Sequence, residues 1–147
     1  MRYYLSLGSN LGEREQTLDK ATEMLQQSAG RVIARSAFYY SAPWGFASEN
    51  GFCNLCLSIE SELEPREMLR ATQSIERALG RTHKTKTDAQ HLPIEGYSDR
   101  LIDIDILEAY RGEEPVYIRT KTLTLPHPLM QERDFVMIPL REIREKE

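Results

Sequence analysis

This sequence lacks several features that usually mark a protein's location or partner. No apolar run is long enough to cross a bilayer, which excludes a membrane-spanning helix. The net charge of -4 leaves no basic excess to offset phosphate repulsion, so we expect no nucleic acid as the main partner. The first ten residues, MRYYLSLGSN, contain no small-residue cleavage site, which predicts that there is no signal peptide and that the location is cytoplasmic.

Cysteine is also scarce, and the only two, Cys53 and Cys56, form one CxxC in GFCNLCLSIE. This spacing is compatible with a redox or zinc site. The surrounding residues, however, predict a β-strand, in which positions three apart face opposite sides and the two sulfurs diverge. We therefore favour two small buried apolar side chains.

Familiar catalytic motifs are missing as well. There is no GxxxxGK[ST] phosphate loop, no arrangement typical of a Ser/His/Asp triad and no internal repeat. The stretch GSNLG has glycines at positions 8 and 12 but no lysine. We interpret Gly8 and Gly12 as a turn residue and a helix-start residue.

The order of predicted elements is strand, helix, strand, strand, helix, strand. Leu18, Ala21 and Leu25 give the first helix its apolar stripe, and Pro65 and Gly80 frame the second helix. A short hairpin, a short helix and one last apolar segment follow. This order predicts a single domain over residues 1–147 in the α+β class. We expect a ferredoxin-like sandwich, with the helices on one face of an antiparallel sheet and the active site on the other.

The stretch RLIDIDIL, residues 100–107, places two carboxylates on one side of a predicted strand. Asp103 and Asp105 point one way, whereas Ile102, Ile104 and Ile106 point the other. The two aspartates would lie about 6.6 Å apart along the strand. That spacing suits Mg²⁺, which takes one or two protein carboxylates and completes its shell with water and substrate phosphates. An exposed face whose charges discourage aggregation is the alternative.

Basic side chains surround this acidic pair in the sequence. A long polar loop from Arg81 to Asp99 precedes it, and loops of this length are usually functional or disordered. Carboxylates with a metal, ringed by cations, are typical of phosphoryl transfer, in which the protein positions charge more than it forms covalent bonds. The residues in question are Arg81, His83, Lys84, Lys86, Arg100, His127 and Arg133.

From Leu5 to about Ile143, the chain resembles the 6-hydroxymethyl-7,8-dihydropterin pyrophosphokinases of folate biosynthesis. The resemblance rests on LSLGSNLG, SAPWG, FCNLCLSIES, IERALGR, RLIDIDIL and LTLPHPLMQERDFV. It implies an enzyme that transfers pyrophosphate from MgATP to the hydroxymethyl group of the pterin and releases AMP.

The resemblance also implies roles for individual residues. Asp103 and Asp105 would hold two Mg²⁺ ions on ATP, with Arg81 and Arg100 as further catalytic groups. Asn54 would recognise the pterin edge, and Phe52 and Phe135 would enclose its ring. The remaining matches are His83, His127 and Arg133 at the phosphates, Gln73, Glu76 and Thr124 near the nucleotide, and Ala42, Pro43 and Trp44 in the pterin site.

Alternatives remain for some of these residues and for the function. Phe52 and Phe135 could be ordinary core, and Glu76 could be a solvated helix residue. A pterin- or nucleotide-binding regulatory domain that has lost catalysis is one alternative function, motivated by Ala42 and by Ser98-Asp99 before Arg100. A metal-dependent nucleotidyltransferase or nuclease is another, although it would need a basic groove. Our leading hypothesis is a monomeric enzyme whose loop 82–99 closes over ATP as a lid.

Overall fold

The computed structural model describes residues 1–41, 51–80 and 101–146. Within these ranges no helix is long and apolar enough to span a membrane. The described strands are β1 (Arg2–Ser9), β2 (Arg31–Arg35), β3 (Tyr39–Ser41), β4 (Phe52–Glu60), β5 (Asp103–Arg111), β6 (Glu114–Pro115), β7 (Ile118–Arg119) and β8 (Thr124–Leu125). The described helices are α1 (Arg14–Ser28), α2 (Pro65–Ala78) and α3 (Asp134–Lys146), with a 3-10 turn at Met130–Glu132.

The main sheet has the strand order β2-β4-β1-β5-β6, and β3 pairs with the same edge of β4 as β2. Every pairing in it is antiparallel. β7 and β8 form a separate two-stranded sheet. Three helices and an antiparallel sheet confirm the predicted α+β class.

One face of the sheet is covered by α1 and α2, and we call it the first face. The helices contribute apolar side chains at helical spacing, such as Leu18 and Leu25 of α1 and Met68 of α2, all fully buried. They pack against strand residues that include Leu5 and Leu57. The Ile102, Ile104 and Ile106 stripe that the sequence predicts belongs to this same cluster.

The opposite face, called the second face, carries α3. The expectation that the helices pack on one face is therefore wrong for this helix. What looked like a last apolar segment is helical, because Val136, Leu140 and Ile143 recur at helical spacing and cover Tyr4 and other second-face residues. The residues of the cluster are Tyr4, Cys56, Leu107, Met130, Val136, Met137, Leu140 and Ile143.

The end of α3 also contacts the segment from β2 to β3, which forms the outer edge of the main sheet. The Glu142 carboxylate accepts a hydrogen bond from the Ala37 N–H at 2.8 Å. Lys146 donates to the Arg35 carbonyl at 3.2 Å and pairs with Glu142 at 3.1 Å. An edge that could otherwise pair with another chain is thus occupied by side chains.

A β-bulge lies in β5 beside Tyr4. The register passes from Leu5 opposite Ile106 to Tyr4 opposite Glu108, which leaves Leu107 as the extra residue. Leu107 belongs to the second-face cluster, and Glu108 forms an ion pair with Arg144 of α3. Both residues therefore meet α3.

The two cysteines lie on opposite faces, as the strand spacing predicts. Cys53 belongs to the first-face cluster and Cys56 to the second, and both are buried free thiols. Burial raises the pKa of both thiols, that of Cys56 to about 12. The interpretation as small buried side chains is confirmed.

Candidate active site

Two polar side chains and a glycine occupy paired positions on three adjacent strands of the second face. We call such a set of paired residues a row. Gly8 of β1 pairs with Asn54 of β4 on one side and with Asp103 of β5 on the other. Directly paired residues in a sheet present their side chains on the same face, so Asn54 and Asp103 share one surface about 10 Å apart, two strand spacings.

The next row holds the second carboxylate. Ser6 of β1 pairs with both Cys56 and Asp105. Asp103 and Asp105 are therefore neighbours on the second face, and both are partly exposed. Asn54, Asp103 and Asp105 therefore share one surface.

Gly8 makes room for the amide of Asn54. A Cβ atom on Gly8 would lie only 2.5 Å from Asn54 Nδ2, so the amide occupies the space where a side chain would be. The interpretation of Gly8 as a turn residue is wrong, because Gly8 lies inside β1. Glycine within a strand often marks close approach by another group, and this signal was present in the sequence.

Asn54 also has an unusual hydrogen-bonding state. The residue is only 5% exposed, yet its Oδ1 atom has no hydrogen-bond partner among the described residues. A buried amide oxygen left without a donor costs free energy, of the order of 1–3 kcal/mol. Such an atom is a natural acceptor for a ligand N–H group.

His127, in the segment after β8, lies close enough to Asp103 to feel its charge. Its backbone N–H donates to the Leu107 carbonyl of β5 at 2.8 Å, and its Nδ1 accepts from the Leu129 N–H at 3.2 Å. Burial lowers the pKa of His127, the Arg133 charge lowers it further, and the Asp103 carboxylate acts in the opposite direction. We infer a neutral imidazole with its proton on Nε2, close to both Asp103 and Arg133.

Arg133 and Phe135 lie where α3 begins. The Arg133 guanidinium stands 5.7 Å from the Phe135 ring centroid, and the half-buried ring packs against the second-face cluster. The Cys56 thiol donates to the Val136 carbonyl at 3.5 Å, which places this end of α3 beside the row of Asp105. Phe52, at the start of β4, is also half-buried. A ring held between Phe52 and Phe135 stays a prediction.

The residues predicted to lie near the nucleotide differ in exposure. Gln73 is exposed on α2, and Thr124 is half-buried on β8. Glu76 is only 4% exposed, so the alternative of a solvated helix residue is wrong. Its carboxylate accepts a hydrogen bond from the Ile104 N–H at 2.8 Å.

Some of the predicted site residues lie outside the described residues, and their roles stay predictions. They are Ala42, Pro43, Trp44, Arg81, His83 and Arg100, together with the proposed lid, residues 82–99.

Over the described ranges, His, Cys, Asp and Glu do not come together in groups of three or more that could hold a metal ion. Two carboxylates are nevertheless sufficient for Mg²⁺, which obtains its other ligands from water and substrate phosphates. The donor set of Asp103 and Asp105 fits that ion.

A hollow of about 440 Å³ lies elsewhere, near the opposite end of β1. Its lining includes Arg2 and Glu60, which pair with each other at 2.7 Å.

Comparison with known proteins identifies the family. Residues 4–145 match the family described as 7,8-dihydro-6-hydroxymethylpterin-pyrophosphokinase (HPPK). The chain belongs to this family. Family members named 2-amino-4-hydroxy-6-hydroxymethyldihydropteridine pyrophosphokinase include one from Porphyromonas gingivalis, with 46% identity over 95% of this chain and 88% of the relative. Another, from Methylorubrum extorquens, has 41% identity over 97% of this chain and 82% of the relative.

A solved structure supports the fold. The crystal structure of an HPPK-DHPS in complex with substrates has a TM-score of 0.66 and 15% sequence identity to this chain. The match covers 97% of this chain but only 40% of the solved one. At this identity the likeness shows only that this chain shares the fold of the matched part of the solved one.

Proposed function

We propose that this chain transfers the pyrophosphoryl group of ATP to the hydroxymethyl group of 6-hydroxymethyl-7,8-dihydropterin and releases AMP. Membership of the pyrophosphokinase family and the named relatives support this activity in folate synthesis. In the reaction, the hydroxymethyl oxygen forms a bond to the β-phosphorus of ATP. The bond between that phosphorus and the α-phosphate oxygen breaks, AMP leaves, and the hydroxyl proton is released.

The observation that carries the proposal is the state of Asn54. Its buried Oδ1 has no donor among the described residues, and its Nδ2 lies over Gly8 in the row that leads to Asp103. A flat heterocycle with neighbouring N–H and acceptor atoms would satisfy both ends of this amide. A pterin has such an edge, so its ring would lie on the second face with the hydroxymethyl group directed toward the carboxylates.

The charged and polar groups around Asp103 would bind the phosphates of ATP, directly or through Mg²⁺. Asp103 and Asp105 would hold Mg²⁺, two ions by the resemblance, which when bound would offset negative charge on the phosphate oxygens. The neutral His127 would donate a hydrogen bond from Nε2 to a phosphate oxygen. Arg133 would add a permanent positive charge whose direction is restrained by the Phe135 ring.

The strand order supports the finer description of the fold. With β2 and β3 counted as one strand position, the order of β5, β1, β4 and β2/β3 is that of a ferredoxin-like sheet. We place the active site on the second face, beside the start of α3, within a single domain over residues 1–147. A monomeric state and a cytoplasmic location stay predictions, the first of which light scattering would test.

Incubation with MgATP and 6-hydroxymethyl-7,8-dihydropterin, followed by separation of nucleotides, tests the activity. We expect AMP to form in equal amount to the pyrophosphorylated pterin, and neither product to form without the pterin or in excess chelator. Calorimetric binding of the pterin without any AMP would contradict the proposal and would favour a binding domain without catalysis.

A further inference from the structure

Glu76 makes a contact that links α2 to the carboxylate strand. Its side chain is 4% exposed, and its Oε2 accepts a hydrogen bond from the backbone N–H of Ile104 at 2.8 Å. Ile104 is the residue between Asp103 and Asp105. The buried carboxylate of Glu76 is therefore attached to the backbone midway between the two proposed metal ligands.

The direction of the Ile104 N–H shows which edge of β5 the Glu76 carboxylate binds. Asp103 and Asp105 lie opposite Gly8 and Ser6 of β1, and the Ile104 N–H donates to Glu76. In an antiparallel pair, alternate residues direct their backbone groups toward the partner strand and away from it. Glu76 therefore binds the edge of β5 that faces away from β1.

Further along this edge, other parts of the chain take the place of a partner strand. Leu107 accepts from the His127 N–H, and Ala109 accepts from the Val116 N–H. β6 pairs with β5 only opposite Tyr110 and Arg111. Near the aspartates, among the described residues, Glu76 is the group that holds this edge.

We propose that Glu76 is a positioning residue, which holds β5 so that both Asp103 and Asp105 direct their oxygens at the same bound magnesium–phosphate group. A charged acceptor strengthens the bond to the Ile104 N–H beyond that of a neutral one. A role through the strand differs from the direct nucleotide contact that the family resemblance implies for Glu76. This inference rests on the proposed pyrophosphokinase activity.

Two variants separate the roles. Glu76→Gln keeps a hydrogen-bond acceptor at the same reach but removes the charge, whereas Glu76→Asp keeps the charge but withdraws it by one methylene. Ser74→Ala, an exposed position on the same helix, is the matched control. For each variant, AMP release is measured against Mg²⁺ concentration and against ATP concentration, with hydrogen exchange of the Ile104 amide followed by NMR.

If Glu76 positions the strand, Glu76→Asp raises the Mg²⁺ concentration for half-maximal rate by about 10-fold, as for other groups that orient metal ligands. Exchange of the Ile104 amide becomes faster in the same variant. Glu76→Gln stays within about threefold of the wild type on both measures, because the bond persists in weakened form. Ser74→Ala matches the wild type.

The opposite ranking would overturn the inference. A raised KM for ATP in Glu76→Gln with normal values in Glu76→Asp would show that the charge itself contacts the nucleotide. An unchanged Mg²⁺ dependence in Glu76→Asp would also overturn it. Failure of the wild type to release AMP would instead contradict the proposed function, and Ile104 exchange would still report whether the contact exists.

Discussion

The two faces of the central sheet are covered to different extents. On the first face, α1 and α2 bury side chains such as Leu5 and Leu57 completely. On the second face, α3 buries Tyr4 and Cys56, whereas Asp103 and Asp105 stay partly exposed. The first face gains stability from apolar burial over its length. On the second face less apolar surface is buried, because Asp103 and Asp105 stay partly exposed there.

The largest effect is expected on the second face, at the carboxylates. Asp103→Ala or Asp105→Ala should reduce the rate of AMP release by about 10²–10³-fold, since each removes a carboxylate that we propose holds Mg²⁺ on the phosphates. The melting temperature should stay close to that of the wild type, because both side chains are partly exposed.

A third carboxylate on β5 supplies the control for this result. Glu108 pairs with Arg144 of α3, away from the proposed site. Glu108→Gln should therefore keep the rate of AMP release. Mg²⁺-dependent AMP release retained in both aspartate variants would refute their assigned role.

The first face should show the reverse pattern. Leu57→Ala removes a fully buried side chain. Loss of a leucine from a packed core lowers the free energy of unfolding by about 2–5 kcal/mol, which urea denaturation would measure. The kcat of the folded fraction should stay unchanged. A large fall in kcat without a loss of stability would show that the first face contributes to catalysis and not mainly to stability.

Asn54 allows ligand binding and stability to be compared at a second-face position of β4. Asn54→Ala should raise the KM for the pterin by about 10-fold, which corresponds to one lost hydrogen bond to the ligand at about 1.4 kcal/mol. Stability should change little, because Oδ1 has no donor among the described residues.

Ser58 provides the matched control for Asn54. Its Oγ is also buried without a hydrogen-bond partner among the described residues, but it pairs opposite Tyr4, under α3. Ser58→Ala should leave the KM for the pterin unchanged. Equal effects of the two variants on the KM would show that the position of Asn54 in the row with Asp103 has no special role.

The smallest effect concerns Glu142 and pH. The Ala37 N–H lowers the pKa of Glu142 below its usual 4.5, and Lys146 contributes in the same direction. A lowered pKa in the folded state stabilises the protein above about pH 4.5, and this stabilisation is lost as the pH falls through the lowered value. The melting temperature of Glu142→Gln should be below that of the wild type at pH 7, and the gap should close toward pH 3.

Glu145→Gln, an exposed position on the same helix, should show no such closing gap. If the difference in melting temperature between Glu142→Gln and the wild type were independent of pH, the carboxylate would not be the stabilising group.

The fold could be predicted where the side-chain pattern is local. Alternation in residues 101–107 indicated which side chains face the core, and Cys53 and Cys56 were assigned to opposite faces correctly. The length of α3 was not predicted, because Pro139 interrupts its pattern and proline usually ends or bends a helix. The bulge at Leu107 has no sequence signal that we recognise.

The candidate site was predictable as a set of residue types but not as a geometry. Spacing alone placed Asp103 and Asp105 side by side. The burial of Glu76 and the unsatisfied Oδ1 of Asn54 depend on contacts between distant segments, with Ile104 and across Gly8. Such contacts are set by tertiary packing. A glycine within a strand signals that another group comes close, as at Gly8, but does not identify that group.

The two buried thiols allow local opening of the structure to be measured separately on each face of the sheet. A thiol with a raised pKa reacts slowly with alkylating reagents while it is buried, so labelling follows transient opening of the surrounding structure. Cys53 would report opening beneath α1, and Cys56 opening beneath α3. Mass spectrometry of the labelled peptides would then measure two local opening equilibria in the unmodified protein, without any introduced probe.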